Sequence, residues 1–89
     1  MSEPYLEITF RHGRALAAYL YLPRPTGQKS YKTVQVSPGL LVDFSRSGKP
    51  IGIEITAPGQ ASLTAINRIL AEYDQPKLKQ ADLAPLSAA

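Results

Sequence analysis

The chain of 89 residues contains no cysteine and no tryptophan, and it has one histidine and one methionine. Without cysteine, neither a disulfide framework nor a thiolate metal site is available. The single histidine, His12, leaves few side chains that suit a transition metal. We therefore expect no bound metal and no cofactor.

Long apolar runs are also missing. No run approaches the roughly 18 residues that a membrane-spanning helix needs, and the first ten residues, MSEPYLEITF, lack the basic region and apolar block of a signal peptide. The sequence therefore predicts a cytoplasmic protein without membrane contact. Its length predicts a single domain near the small end of what folds alone, for which self-association adds buried area.

Charge of one sign does not dominate. Ten Lys and Arg stand against seven Asp and Glu, for a net charge of +3 and a sequence pI of about 9.4. This balance permits contact with nucleic acid or another polyanion. The basic residues are scattered and most fall in predicted turns, which favours an ordinary solvated surface. Nucleic-acid binding is the alternative function.

Alternating apolar residues predict an N-terminal hairpin. In YLEITFR (5–11), Leu6, Ile8 and Phe10 share one side, and RALAAYLYL (14–22) continues the alternation. On the second strand, the residues that share the core face are Leu16, Ala18, Leu20 and Leu22. His12 and Gly13 lie between the two runs and predict a tight turn, because glycine adopts positive φ without steric cost.

Three more strands and a helix follow. Short runs predict strands at 33–36, 40–44 and 51–56, with Pro50 at a strand start because proline cannot donate to the ladder. From 63 to 73 an apolar stripe at helical spacing predicts an amphipathic helix capped by Ser62, its members being Leu63, Ile66, Ile69, Leu70 and Tyr73. We predict an α+β domain over 1–74, an antiparallel β-meander of about five strands with one amphipathic helix packed on one face. Residues 75–89 are a C-terminal extension, docked or flexible.

The most patterned stretch is LLVDFSRSGKPIGIEIT (40–56), two alternating runs around a polar loop. It resembles the C-terminal hairpin of a small, mostly bacterial family catalogued as domain of unknown function 2283 (DUF2283). The residues that carry the resemblance are Val42-Asp43, Gly48 and Gly52-Ile53-Glu54-Ile55, with Leu20-Tyr21-Leu22 similar to an earlier strand of the family. The resemblance spans residues 10–57 approximately. It implies no reaction, and because some members resemble antitoxins encoded beside small toxins, it implies a small toxin as a possible partner.

One departure from the family pattern concerns the first turn. Family members place acidic residues there after an aromatic residue, whereas this chain has Phe10-Arg11-His12-Gly13-Arg14, with the opposite charge. A role that depends on an acidic first turn is therefore not expected here.

Asp43 and Glu54 are the candidate chemical groups of the hairpin. Their neighbours in each strand are core residues, so both carboxylates point to the other face of the sheet. Acid–base catalysis needs an enclosed pocket that separates the pKa values of two carboxyls, and an open strand face provides none. We therefore predict a polar contact pair and no enzyme. Gly52, in mid-strand, predicts a bulge or the close approach of another backbone.

Three tyrosines share the face of these carboxylates. Tyrosine-rich strand faces suit protein contacts, because the ring offers a large area with a polar tip. Base stacking would need basic neighbours, whereas the neighbours here are acidic and repel phosphate. We therefore predict a protein-interaction module that forms homodimers or higher homo-oligomers through this sheet face or an edge strand. The candidate interface residues are Tyr5, Glu7, Tyr19, Tyr21, Leu41, Asp43 and Glu54.

Overall fold

The computed structural model describes residues 3–24 and 27–87. Two residues of the loop after the second strand, 25–26, and the outermost residues of the predicted domain and extension lie outside the described part. The elements, in chain order, are β1 (Tyr5–Arg11), β2 (Arg14–Tyr21), β3 (Lys32–Ser37), β4 (Leu40–Phe44), β5 (Pro50–Ile55), a 3-10 turn (Pro58–Gln60), α1 (Leu63–Glu72) and a 3-10 helix (Gln80–Ser87). The fold is thus α+β, as predicted.

The order of the strands differs from the prediction. All five form one antiparallel sheet, but the order is β1-β2-β5-β4-β3, so the meander is wrong. The hairpin β1–β2 joins the β3–β4–β5 unit through the pairing of β2 with β5. The connection from Tyr21 to Lys32 is long enough to cross the sheet end to the far edge. This order gives the central position to β5, whose Ile51, Ile53 and Ile55 are fully buried.

The β1–β2 hairpin confirms the predicted turn and corrects one residue. His12 and Gly13 both have positive φ, +52° and +77°, which is the type I′ geometry of a two-residue hairpin. The register shifts between Thr9 and Phe10, which leaves Leu16 without a partner on β1 as the extra residue of a β-bulge. The bulge breaks the alternation, so Leu16 is 48 % exposed instead of lying in the core with Leu20.

One hydrophobic cluster joins the sheet to the rest of the chain. Buried residues of β2, β4 and β5 belong to the same cluster as Ile66, Ile69 and Leu70 of α1. The helix begins as predicted, because the Ser62 hydroxyl accepts a hydrogen bond from the backbone N–H of Ala65 at 3.1 Å. Within the described ranges no helix is long and apolar enough to cross a membrane.

The chain after α1 packs back onto this cluster. Leu78, Leu83 and Leu86 are all buried members of it. Asn67 of α1 fastens the segment through its side chain, which accepts from the Leu78 backbone N–H at 2.7 Å and donates to the Leu78 carbonyl at 3.1 Å. The described part of the extension therefore contributes to the core on the α1 side.

Candidate functional site

The face of the sheet that carries the three tyrosines is organised in two rows across the strands. We call it the tyrosine face. The register aligns Tyr5, Tyr21, Gly52, Asp43 and Thr33 in the first row, and Glu7, Tyr19, Glu54, Leu41 and Gln35 in the second row. Residues that pair directly across antiparallel strands point to the same side. The candidate residues predicted from the sequence thus lie on one surface.

Asp43 occupies the centre of the polar network on this face. Its side chain is only 7 % exposed. One carboxylate oxygen accepts a hydrogen bond from the Tyr19 hydroxyl at 2.7 Å, and the other accepts from the Thr33 hydroxyl. Hydrogen bonds to an ionised acceptor are stronger than neutral ones. Two donors from different strands therefore compensate the burial of this charge.

Gly52 makes the contact between Tyr19 and Asp43 possible. Tyr19 pairs with Glu54, one row away from Asp43, so its ring must lean across β5 to reach the carboxylate. A Cβ on Gly52 would lie 2.0 Å from the Tyr19 hydroxyl oxygen and 2.2 Å from the ring carbon that bears it. The close approach predicted at Gly52 is therefore that of a side chain and not of a backbone, and the predicted bulge lies one residue away, where Ile51 has no partner on β4.

A second tyrosine cluster lies beside this network. The rings of Tyr5 and Tyr21 stack with centroids 4.4 Å apart, and Tyr19 meets Tyr21 edge-on at 4.7 Å. The Tyr21 hydroxyl donates to the Glu7 carboxylate at 3.2 Å, and Arg24 lies over the Tyr21 ring, 5.3 Å from its centroid. The aromatic surface is held in place by its own neighbours, although Tyr5 remains 50 % exposed.

The electrostatic environment keeps these phenols protonated. Burial raises the pKa of Tyr19, and the hydrogen bond to Asp43 and the negative charge of that carboxylate raise it further. The pKa of Tyr21 is also raised, by desolvation and then by the charge of Glu7 and the hydrogen bond to it. At neutral pH neither phenol is therefore available as a base or a nucleophile.

The sequence placed some of these residues better than others. Tyr5, Leu41 and Glu54 lie on the predicted face and are partly or largely exposed. Asp43 lies on that face but is more buried than predicted, and the Tyr19 hydroxyl bonds its carboxylate from the neighbouring row. Thr33, the second donor to Asp43, was not among the predicted residues. The alternation of β3 could have placed Thr33 on this face. It could not have shown that Thr33 lies opposite Asp43.

The cleft on this face is shallow. Its volume is about 300 Å³, and Glu7, Ala17, Tyr19, Leu41 and Glu54 are among the residues that line it. Over residues 3–24 and 27–87 the structure shows no group of three His, Asp or Glu side chains that could hold a metal ion.

The raised pKa of Tyr19 predicts a loss of stability in alkali. Above about pH 10 a tyrosine of the unfolded chain ionises while folded Tyr19 keeps its proton, so the folded state binds more protons and the free energy of unfolding falls as pH rises. For one such group the limiting slope is about 1.4 kcal/mol per pH unit. In urea unfolding between pH 8 and 11, we expect Tyr19→Phe to show a shallower decline than the parent chain. Equal slopes would refute this interpretation of the Tyr19–Asp43 contact.

The segment that holds the network also matches a known family model. Residues 17–57 match the family model described as protein of unknown function, DUF2283. The resemblance predicted from the hairpin is thereby confirmed over β2 to β5. The matched segment contains Tyr19, Thr33, Asp43 and Gly52, whereas Phe10–Arg14, where the charge departs from the family pattern, lies outside it. No match was found among curated proteins or among solved structures.

Proposed function

We propose that this protein is a non-enzymatic interaction module that forms a homodimer, with the tyrosine face as the contact surface between the two copies. In this proposal α1 acts as an amphipathic helix packed on the opposite face, which leaves the tyrosine face as the available side of the sheet. The membership of Ile66, Ile69 and Leu70 in the cluster of the sheet supports that assignment. The observation that carries the proposal is the stack of Tyr5 on Tyr21, fixed in place and still half-exposed.

Pre-ordered tyrosines favour such a contact. A side chain that is already fixed loses little conformational entropy on binding, and a tyrosine ring supplies a large contact area. The Tyr5–Tyr21 stack, the edge contact of Tyr19 and the hydrogen bonds to Glu7 and Asp43 restrict these rings before any partner arrives. The surface is therefore organised in the single copy.

Charge on the hairpin favours a second copy of the chain as the partner. Glu7 and Glu54 lie in the second row, while the exposed Arg11 and Arg14 lie at the hairpin tip beyond it. In an isologous dimer each surface patch meets the same patch of the partner. A two-fold axis that lies in the plane of the interface, perpendicular to the strands, makes the two sheets antiparallel and brings the basic tip of one copy towards the acidic row of the other.

The network around Asp43 supports a structural role in preference to catalysis. Both carboxylate oxygens accept hydrogen bonds from Tyr19 and Thr33, and the raised pKa of Tyr19 keeps its phenol protonated at neutral pH. The carboxylate of Asp43 and the two hydroxyls therefore hydrogen-bond to one another, which favours a structural role over substrate binding. A bacterial source and a small toxin as a further partner are parts of the proposal that rest on the family resemblance alone, and a cytoplasmic location is a part that rests on the absence of a long apolar run.

The oligomeric state tests this function. By light scattering we expect a mass near twice the 9.7 kDa of one chain, and a mass near that of one chain for Tyr5→Glu, which places a charge in the exposed stack. Thr64→Glu, on the exposed side of α1, is the matched control and is expected to remain dimeric. The double variant Tyr19→Glu, Tyr21→Glu should also be monomeric, and less stable because Asp43 loses a donor. A parent chain that scatters as a monomer would overturn the proposal.

A further inference from the structure

The basic residues are not scattered in three dimensions. From residue 8 to residue 53 the sequence holds the cations Arg11, Arg14, Arg24, Lys29, Lys32, Arg46 and Lys49, and its one acid is Asp43. Asp43 is buried under Tyr19 and presents little charge to solvent. This half of the chain therefore has a positive surface, although the net charge of the whole chain is small.

The fold collects several of these cations at one end of the sheet. Lys32 begins β3 opposite Phe44, which ends β4 and pairs with Pro50 at the start of β5. The Tyr31 backbone N–H extends this pairing by donating to the Phe44 carbonyl at 2.8 Å. Residues 27–31 and the turn after β4 consequently line one open cleft. We call this surface the basic end; its exposed members are Lys29, Tyr31, Lys32, Arg46 and Lys49.

The turn from Ser45 to Lys49 gives this surface a fixed frame. The Ser45 backbone N–H donates to the Lys49 carbonyl at 2.8 Å, and the Gly48 N–H donates to the Ser45 carbonyl at 2.9 Å. The Ser45 hydroxyl adds a bond from the Lys49 N–H at 3.3 Å. Gly48 has φ +87°, a conformation that favours glycine. Arg46 and Lys49 are therefore presented from a closed, hydrogen-bonded turn.

An exposed aromatic ring lies among these cations. Tyr31 is 64 % exposed, and the Arg46 guanidinium lies over its ring, 4.8 Å from the centroid. In the wall of the same cleft, the side-chain oxygen of Gln28 is buried and accepts no hydrogen bond from the described residues. The tyrosine face carries Glu7 and Glu54 beside Arg24, whereas the charged members of the basic end are all cations. The two aromatic surfaces thus suit different partners.

We propose that the basic end binds single-stranded nucleic acid. A base stacks on the exposed ring of Tyr31, while Lys29, Lys32, Arg46 and Lys49 contact the phosphates on either side. Stacking on an aromatic ring combined with a basic track is how proteins hold single strands without reading their sequence. This partner is distinct from the second copy on the tyrosine face.

Fluorescence anisotropy with a labelled oligothymidylate of about ten nucleotides tests the proposal. At about 50 mM salt we expect binding that weakens steeply as salt rises. The variant Arg46→Ala, Lys49→Ala should weaken binding at least tenfold and lower the slope of log affinity against log salt by about 1.4, the value for two lost phosphate contacts on a single strand. Arg68→Ala, Lys79→Ala removes the same charge from exposed residues outside the basic end and is the matched control. Equal losses in both variants would mean non-specific attraction and would overturn the proposal.

Stacking is tested separately from charge. Tyr31→Ala should weaken oligonucleotide binding about fivefold or more, and Tyr31→Phe should retain it, because the ring and not the hydroxyl makes the contact. Tighter binding to duplex DNA, or binding to phosphatidylserine vesicles in place of the oligonucleotide, would overturn the assignment of the partner. Tyr5→Glu should leave oligonucleotide binding unchanged and Tyr31→Ala should leave the dimer intact. The failure of the nucleic-acid proposal can therefore be distinguished from the failure of the dimer proposal.

Discussion

Replacing Asp43 by alanine is expected to lower the free energy of unfolding by about 2–3 kcal/mol. The substitution removes the acceptor of the Tyr19 and Thr33 hydroxyls, and a hydrogen bond to a charged group contributes about 1.5–3 kcal/mol. Part of the loss is offset because a carboxylate no longer has to be desolvated. In thermal unfolding of a chain this size the change corresponds to a decrease in Tm of about 8–24 °C.

Smaller substitutions separate the two hydrogen bonds of Asp43. Thr33→Val keeps the shape of the side chain and removes one donor, and Tyr19→Phe removes the other, so each should cost about 1.5–3 kcal/mol. In a double-mutant cycle Tyr19→Phe should cost much less once Asp43 is alanine. All variants are compared at one protein concentration, because the stability of a dimer depends on it. Additive effects of Tyr19→Phe and Asp43→Ala would contradict the network.

Gly52→Ala should destabilise the chain by about 2 kcal/mol, although alanine normally stabilises a strand relative to glycine. The added Cβ would lie 2.0 Å from the Tyr19 hydroxyl oxygen, so the ring must move away and the buried carboxylate of Asp43 loses one of its two donors. The measurement is urea unfolding of the variant beside the parent chain.

The sign of this effect depends on Tyr19. In a Tyr19→Ala background the three atoms nearest to a Cβ on Gly52 are removed, and the same Gly52→Ala substitution should be neutral or slightly stabilising. Gly59 is a matched control, since nothing lies within 4 Å of a Cβ built there, so Gly59→Ala should cost little. If Gly52→Ala were equally costly with and without Tyr19, the ring would not be the reason for glycine at this position.

Local sequence signals were sufficient to predict the strands, the turn and the helix, but not the order of the strands in the sheet. The turn at His12-Gly13, the cap at Ser62 and the strand start at Pro50 were predictable, because each depends on the chemistry of neighbouring residues. The pairing of β2 with β5 was not predictable from local signals. Strands that no short loop connects pair through the shape and apolarity of their whole surfaces. The assumption of sequential pairing therefore placed β3 beside β2, where the structure has β5.

The candidate site shows the same division. Alternation placed Asp43 on the tyrosine face, but its burial depends on a ring that crosses β5 from β2, and no pattern within one strand reveals this. The basic end was missed for a related reason. Lys29, Lys32, Arg46 and Lys49 are separated in sequence by an edge strand and a hairpin, and they share a surface because those strands begin and end together.

The absence of cysteine allows the central claim, a dimer through the tyrosine face, to be measured directly. A single cysteine introduced at Glu54, on the central strand β5, carries one spin label in the middle of the face, and Thr64→Cys carries one on the exposed side of α1. Electron–electron double resonance then reports the distance between the two copies for each label. We expect a single distance for position 54 that is clearly shorter than the distance for position 64. A shorter distance from α1, or no dipolar coupling at position 54, would contradict the account.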